Sequence, residues 1–161
     1  VLGERSTAYS EAEKQALAEE KNEIYKTYLA AMTPDDLSSE TRATLQTLRQ
    51  RGYLLAIGSS SKNTRQILER LGLGNFFDAV ADGTRITRSK PDPEVFLLAA
   101  SLLGVRAEEA VVVEDAASGV QAAVTGGFRV VGLCSGGNDP GADITIRRLS
   151  DLTAIFGGDA L

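Results

Sequence analysis

The chain changes rhythm about a third of the way along. Up to Gln50 its apolar residues recur at helical spacing; from Tyr53 onward short β-branched runs alternate with helical stretches. Ser10 and Glu13 make a capping box, and the Ala-, Glu-, Lys- and Leu-rich stretch that follows reads as one helix to Met32. Leu17, Ile24, Tyr28 and Met32 give that helix one apolar stripe, expected to pack between helices. Thr33-Pro34 reads as an N-cap followed by proline at the first helical position of a short turn. A second helix, carrying Leu45 and Leu48, is predicted over Ser39 to Gln50 and stops at Gly52.

In the second part the pattern predicts strands at Tyr53 to Ile57, Ala79 to Ala81, Val111 to Val113, Arg129 to Leu133 and Ile144 to Ile146. Helices are predicted between them: Lys62 to Leu71, ended by Gly72; one opened by Asp92-Pro93-Glu94 and ended by Gly104; and Ser118 to Thr125, closing on Gly126-Gly127. A terminal helix spans Leu149 to Phe156, and Ser135 to Ala142 is the one loose loop. Strands alternating with helices imply an α/β fold, a Rossmann-like parallel sheet with helices on both faces.

Composition narrows the class. A chain of 161 residues is ordinarily one domain, and 43% hydrophobic with 24% charged residues is enough to bury a core. Net charge is −5 and no Lys/Arg-rich block occurs, which speaks against nucleic acid or an anionic membrane as the partner. No apolar run reaches membrane-spanning length, and residues 1–5 do not read as a signal peptide. The chain opens on Val1 rather than Met, as a processed or truncated piece does. It has no histidine, which excludes Ser-His-Asp and Cys-His catalysis and His-ligated zinc. Cys134 is its only cysteine, so no intrachain disulfide forms and a reducing cytoplasm fits. A cysteine phosphatase loop needs an arginine six residues on, where Pro140 stands, so Cys134 reads as a small apolar residue.

The candidate chemistry sits at strand exits. Glu114 and Asp115 follow the run Ala110-Val111-Val112-Val113, as a Mg²⁺ site at the carboxyl edge of a parallel sheet does. Ser59 follows the run ending at Gly58, and Lys90 lies in Ser89-Lys90-Pro91. A hydroxyl, an ammonium and paired carboxylates suit phosphoryl transfer, whose charge spreads over the phosphoryl oxygens.

Taken in order, Gly58-Ser59-Ser60-Ser61-Lys62-Asn63, Asp82-Gly83, Ser89-Lys90-Pro91-Asp92-Pro93, Val113-Glu114-Asp115-Ala116 and Gly119-Val120-Gln121-Ala122-Ala123 form a set. It resembles the haloacid dehalogenase (HAD) superfamily, in its β-phosphoglucomutase-like branch. The resemblance covers nearly the whole chain. It implies that residues 1–50 are part of a helical cap ending in the return helix, and that 51–161 are the α/β core without its first strand. It further implies that the Ser59 hydroxyl holds the transferring phosphoryl group, that Lys90 neutralises phosphate charge, and that Glu114 and Asp115 bind Mg²⁺. Ser60 lies within the same substrate loop, and Ser61, Lys62 and Asn63 match positions that contact a second phosphate of the sugar. A helix starting near Lys62 is expected to turn free backbone N–H groups toward that anion.

One part of the family pattern is absent. Its first motif, a strand ending in Asp-x-Asp, supplies the covalent nucleophile and the acid/base, and nothing before Ser59 matches it. Val80-Ala81-Asp82-Gly83-Thr84 ends like that motif, but it has Val in the nucleophile's place and follows Ser59. The expectation is therefore a Mg²⁺-dependent phosphotransferase acting on a sugar phosphate through an aspartyl phosphate in the intact protein, with this chain alone inactive. A sugar-phosphate phosphatase of the same family is the alternative, and so is a non-catalytic HAD-like fragment. Without the central strand, the predicted strands at Tyr53 and Val111 keep open edges through which the chain is expected to self-associate. A response-regulator domain fits less well, because its acidic pair belongs at the first strand.

Overall fold

The computed structural model describes residues 10–134 and 141–157. Its first helix, α1, spans Glu11–Ala31 and starts with the capping box: Ser10 Oγ accepts from Glu13 N at 3.3 Å, and Ser10 N donates to Glu13 Oε2 at 2.8 Å. The expected apolar stripe on α1 is not buried. Tyr28 is 70% exposed, with Leu17 and Ile24 exposed as well, while Leu29 is the residue that turns inward. Helical spacing marked the helix correctly, but the face that the core covers passes through Leu29. A 3-10 turn at Pro34–Asp36 leads into α2, Ser39–Gln50, whose Ser38 side chain accepts from Thr41 N.

The parallel strands follow. They are β1 (Ala56–Gly58), β2 (Ala79–Ala81), β3 (Val111–Glu114), β4 (Arg129–Leu133) and β5 (Ile144–Ile146). Between them lie α3 (Thr64–Arg70), α4 (Glu94–Leu103) and α5 (Ala117–Thr125), and the described chain ends with a 3-10 turn at Leu149–Asp151 and α6 (Leu152–Ile155). Gly104, with φ 72°, closes α4 in the left-handed conformation that glycine adopts without strain.

Three sequence expectations shift here. The strand predicted from Tyr53 begins only at Ala56, because its parallel partner β2 begins at Ala79 and the Asp78 carboxylate already takes the Leu55 N–H at 2.8 Å. The helix predicted from Lys62 begins at Thr64. Ser61 Oγ accepts from Asn63 N and Ser61 O accepts from Thr64 Oγ1, so Lys62 and Asn63 lie in a serine-anchored turn ahead of α3. The terminal helix is shorter than expected, its first residues forming the 3-10 turn. Most of the loop predicted over Ser135 to Ala142 lies outside the described residues.

The strands form two parallel ladders, β1-β2 and β3-β4-β5, so among the described residues β1 and β3 each pair along one edge only. The sheet has helices on both faces, and β4 shows why. Val130 packs with Val95, Phe96, Val120 and Phe128 of the α4–α5 side, whereas its neighbour Val131 packs with Leu48, Ile146 and Leu152 of the α2–α6 side. Successive residues of a strand point to opposite faces, so one β-branched run serves both cores. The α4–α5 core also takes in Ala81 of β2 and Val112 of β3, and so ties the two ladders together.

Candidate active site

In parallel α/β sheets, ligands sit outside the carboxyl ends of the strands. Here those ends deliver Ser59 after β1, Asp82 after β2, and Glu114 and Asp115 at the end of β3, while Lys90 comes from the loop between β2 and α4.

Lys90 and Glu114 meet directly. Lys90 Nζ donates to Glu114 Oε1 at 2.7 Å, and both side chains are largely withdrawn from solvent, 18% and 13% exposed. The second carboxylate oxygen, Oε2, accepts from Asp115 N at 2.9 Å. Gly119, in the first turns of α5, makes room for this carboxylate, since a methyl group there would collide with it. Asp115 is exposed, and its side chain has no hydrogen-bond or ion-pair partner among the described residues. The loop that carries Lys90 is held by Glu94, whose carboxylate accepts from Thr87 N at 2.9 Å and Arg88 N at 2.7 Å. Those two backbone donors, reinforced by the Thr87 hydroxyl and the Arg88 charge, hold the Glu94 carboxyl below its ordinary range.

The Lys90 ammonium also stands 4.4 Å from the centre of the Phe96 ring. The edge of that ring presses on Gly58, where a Cβ would lie 2.7 Å from Cδ1 and 2.9 Å from Cε1. Phe96 thus touches both the Lys90 head and the residue before Ser59.

Ser59 is fixed through its backbone, its N–H donating to Ala81 O at 3.0 Å. Its Oγ accepts from Ser61 N at 3.2 Å, which leaves the hydroxyl proton for a ligand. Ser60 Oγ is buried without a partner among the described residues, and Ser61 Oγ accepts from Asn63 N at 3.2 Å, which leaves its own hydroxyl proton available. Lys62 is exposed and Asn63 half-buried. The loop leans on the next strand exit: Gly83 N donates to Ser61 O at 3.0 Å, and any side chain at Gly83 would strike Ser60 O.

Asp82 is 1% exposed. Its Oδ1 accepts from Thr84 N at 2.9 Å and Thr84 Oγ1 at 2.5 Å, while Arg65 Nε stands 3.4 Å from Oδ2 without a hydrogen bond. Burial pushes this carboxyl up, but the two Thr84 bonds and the charges of Arg65 and Arg85 outweigh it and hold the carboxyl below its ordinary range. With Oδ1 taken by Thr84 and the group closed off from solvent, this carboxylate anchors the turn after β2.

The donor set suits a hard divalent cation. Mg²⁺ is held through one or two carboxylates and completes its octahedron with water and phosphate oxygens, so two adjacent carboxylates suffice. Among the described residues no three His, Cys, Asp or Glu side chains gather in one place, and the partner-free Asp115 is the member of the pair open to an ion. Gly83 and Gly119 lie in the quoted motifs and Glu94 in the helix opener, but sequence alone assigns none of them a role at the site, and it does not single out Phe96 at all. From sequence, Phe96 is one apolar residue of the helix opened by Asp92-Pro93-Glu94.

Comparison with known proteins bears on the family and the fold. Residues 2–127 match the family model described as haloacid dehalogenase-like hydrolase. The chain is 37% identical over 153 residues to a β-phosphoglucomutase of Bacillus subtilis, covering 95% of this chain and 68% of that protein. It is 32% identical over 129 residues to a phosphorylated carbohydrates phosphatase of Thermotoga maritima, covering 78% of this chain and 57% of that one. The crystal structure of a β-phosphoglucomutase from Clostridium difficile superposes with a TM-score of 0.81 at 29% identity, over 94% of this chain and 68% of that one. The chain belongs to the haloacid dehalogenase-like hydrolases, in their β-phosphoglucomutase-like branch.

Proposed function

We propose that the intact protein transfers a phosphoryl group on a sugar phosphate through an aspartyl phosphate, with Mg²⁺ as cofactor. The observation that carries this reading is the Lys90–Glu114 contact of 2.7 Å beside Asp115, whose side chain has no partner among the described residues. A cation and two carboxylates meet at one strand exit, with only one N–H of the ammonium engaged by Glu114. The other N–H groups are available to an anion, and the Ser59 hydroxyl proton offers a further donor from β1. When bound by Glu114 and Asp115, Mg²⁺ supplies neutralisation of the charge on the transferring group. Ser61, Lys62 and Asn63 contact the second phosphate, through side chains and the turn backbone. Helix α3 is too short and starts too late to serve as the anion site expected from sequence.

The attacking aspartate is not supplied by Asp82, so this chain as written is proposed to have no turnover of its own. A sugar-phosphate phosphatase is the second reading, favoured by the likeness to the Thermotoga phosphatase. The chain spans only part of its relatives, so both readings concern the whole protein. In the intact protein, isomerisation of a sugar phosphate and release of inorganic phosphate should be assayed side by side, with Mg²⁺ and with chelator. Chelator-sensitive isomerisation supports the mutase reading, and phosphate release alone supports the phosphatase. The absence of either supports a non-catalytic role. Turnover by the present chain that Asp82→Ala abolishes would overturn the account of Asp82.

A further inference from the structure

Lysine is a poor residue for precise placement, because its ammonium rides on a flexible four-carbon stem. Glu114 alone engages one of its three N–H groups. The Phe96 ring, 4.4 Å from Nζ at its centre, is within the roughly 6 Å over which an aromatic face attracts a cation. An acid in that place would compete with a phosphate for the same charge. An aromatic face restrains the ammonium while using no full hydrogen bond and cancelling no charge.

The ring is itself immobilised. Phe96 is 7% exposed, and it packs edge-on to Phe128 with centroids 6.2 Å apart at an angle of 66°. Its Cδ1–Cε1 edge fills the space that Gly58 leaves by having no side chain. One core residue of α4 therefore bears on the Lys90 head and on the last residue of β1, directly before Ser59.

We propose that Phe96 is a positioning residue of this site, holding the Lys90 ammonium against Glu114 and setting the strand end that presents Ser59. The proposal deepens the phosphoryl-transfer reading and rests on it, but its geometric part is measurable without any turnover. Nuclear magnetic resonance of the full chain tests it, with the Lys90 ε-methylene protons assigned by Lys90→Arg. In the unmodified chain the ring current should move those protons upfield of the other lysines. Phe96→Leu should return them to the ordinary lysine position and weaken binding of inorganic phosphate, titrated with Mg²⁺, about 3- to 10-fold. Phe96→Tyr, which keeps the ring, should preserve both. Gly58→Ala, which pushes on the same ring edge, should disturb the Lys90 signal even if Phe96→Leu does not fold. An ordinary Lys90 signal in the unmodified chain overturns the proposal. So does a Phe96→Leu chain that binds phosphate as well as its parent. An upfield Lys90 signal in a chain that binds no phosphate instead overturns the assignment of a phosphate site to this chain and leaves the ring contact standing.

Discussion

Lys90 and Glu114, 24 positions apart, share a 2.7 Å ion-paired hydrogen bond at the mouth of the sheet, with both side chains mostly shielded from water. Removing one partner of such a pair strands the other, and that penalty exceeds the net worth of the pair. Lys90→Met should therefore destabilise the fold by about 3 kcal/mol, the lower end for a pair that is not wholly buried. Adding Glu114→Gln should recover most of the loss. Urea unfolding of the parent, both single variants and the double variant checks this, and additive losses would show that the two side chains are not coupled.

Asp82 should give the fold a pH dependence of defined sign. Its carboxyl is held below the ordinary range in the folded chain, so the unfolded chain binds the proton more readily. The stabilisation is then present above the unfolded value, about 3.9, and is lost as pH falls through the folded one. Asp82→Asn should cost about 1–3 kcal/mol at pH 7. Its deficit relative to the parent should shrink as the pH drops below about 4. A deficit that stays constant down to pH 2.5 or grows would contradict the assignment.

The open edges of β1 and β3 carry a second expectation. Val111 and Val113 of β3 are exposed, and among the described residues each strand has ladder bonds on one side only. Unpaired apolar edges template pairing with another chain. Sedimentation velocity over a hundredfold concentration range should show association that Val113→Lys reduces. A concentration-independent monomer would show that the edges are closed in some other way.

The parts legible from sequence were those set by local rules. Ser39 to Gln50, Ala79 to Ala81, Arg129 to Leu133 and Ile144 to Ile146 emerged with the same bounds in the structure, because caps, glycine stops and β-branched runs act over a few residues. The parts that moved depend on partners far along the chain. No local pattern says that Asp78 takes the Leu55 N–H, or that Leu29 rather than Tyr28 faces the core. The same division holds in the site. Ser59, Lys90, Glu114 and Asp115 stood out by residue type and order, whereas the pairing of Lys90 with Glu114 and the seating of Lys90 on Phe96 are long-range facts.

The central claim is that Lys90, Glu114, Asp115 and Ser59 form a phosphate site that depends on Mg²⁺. The direct measurement is calorimetric titration of inorganic phosphate into the chain with Mg²⁺, with chelator, and with Mg²⁺ in Asp115→Asn. Asp115 is exposed and has no side-chain partner among the described residues, so its substitution tests binding with little effect on the fold. Phosphate should bind with Mg²⁺ present, at least tenfold more weakly with chelator, and equally weakly in Asp115→Asn, a loss of about 1.4 kcal/mol or more. Equal affinity under all three conditions would contradict the claim.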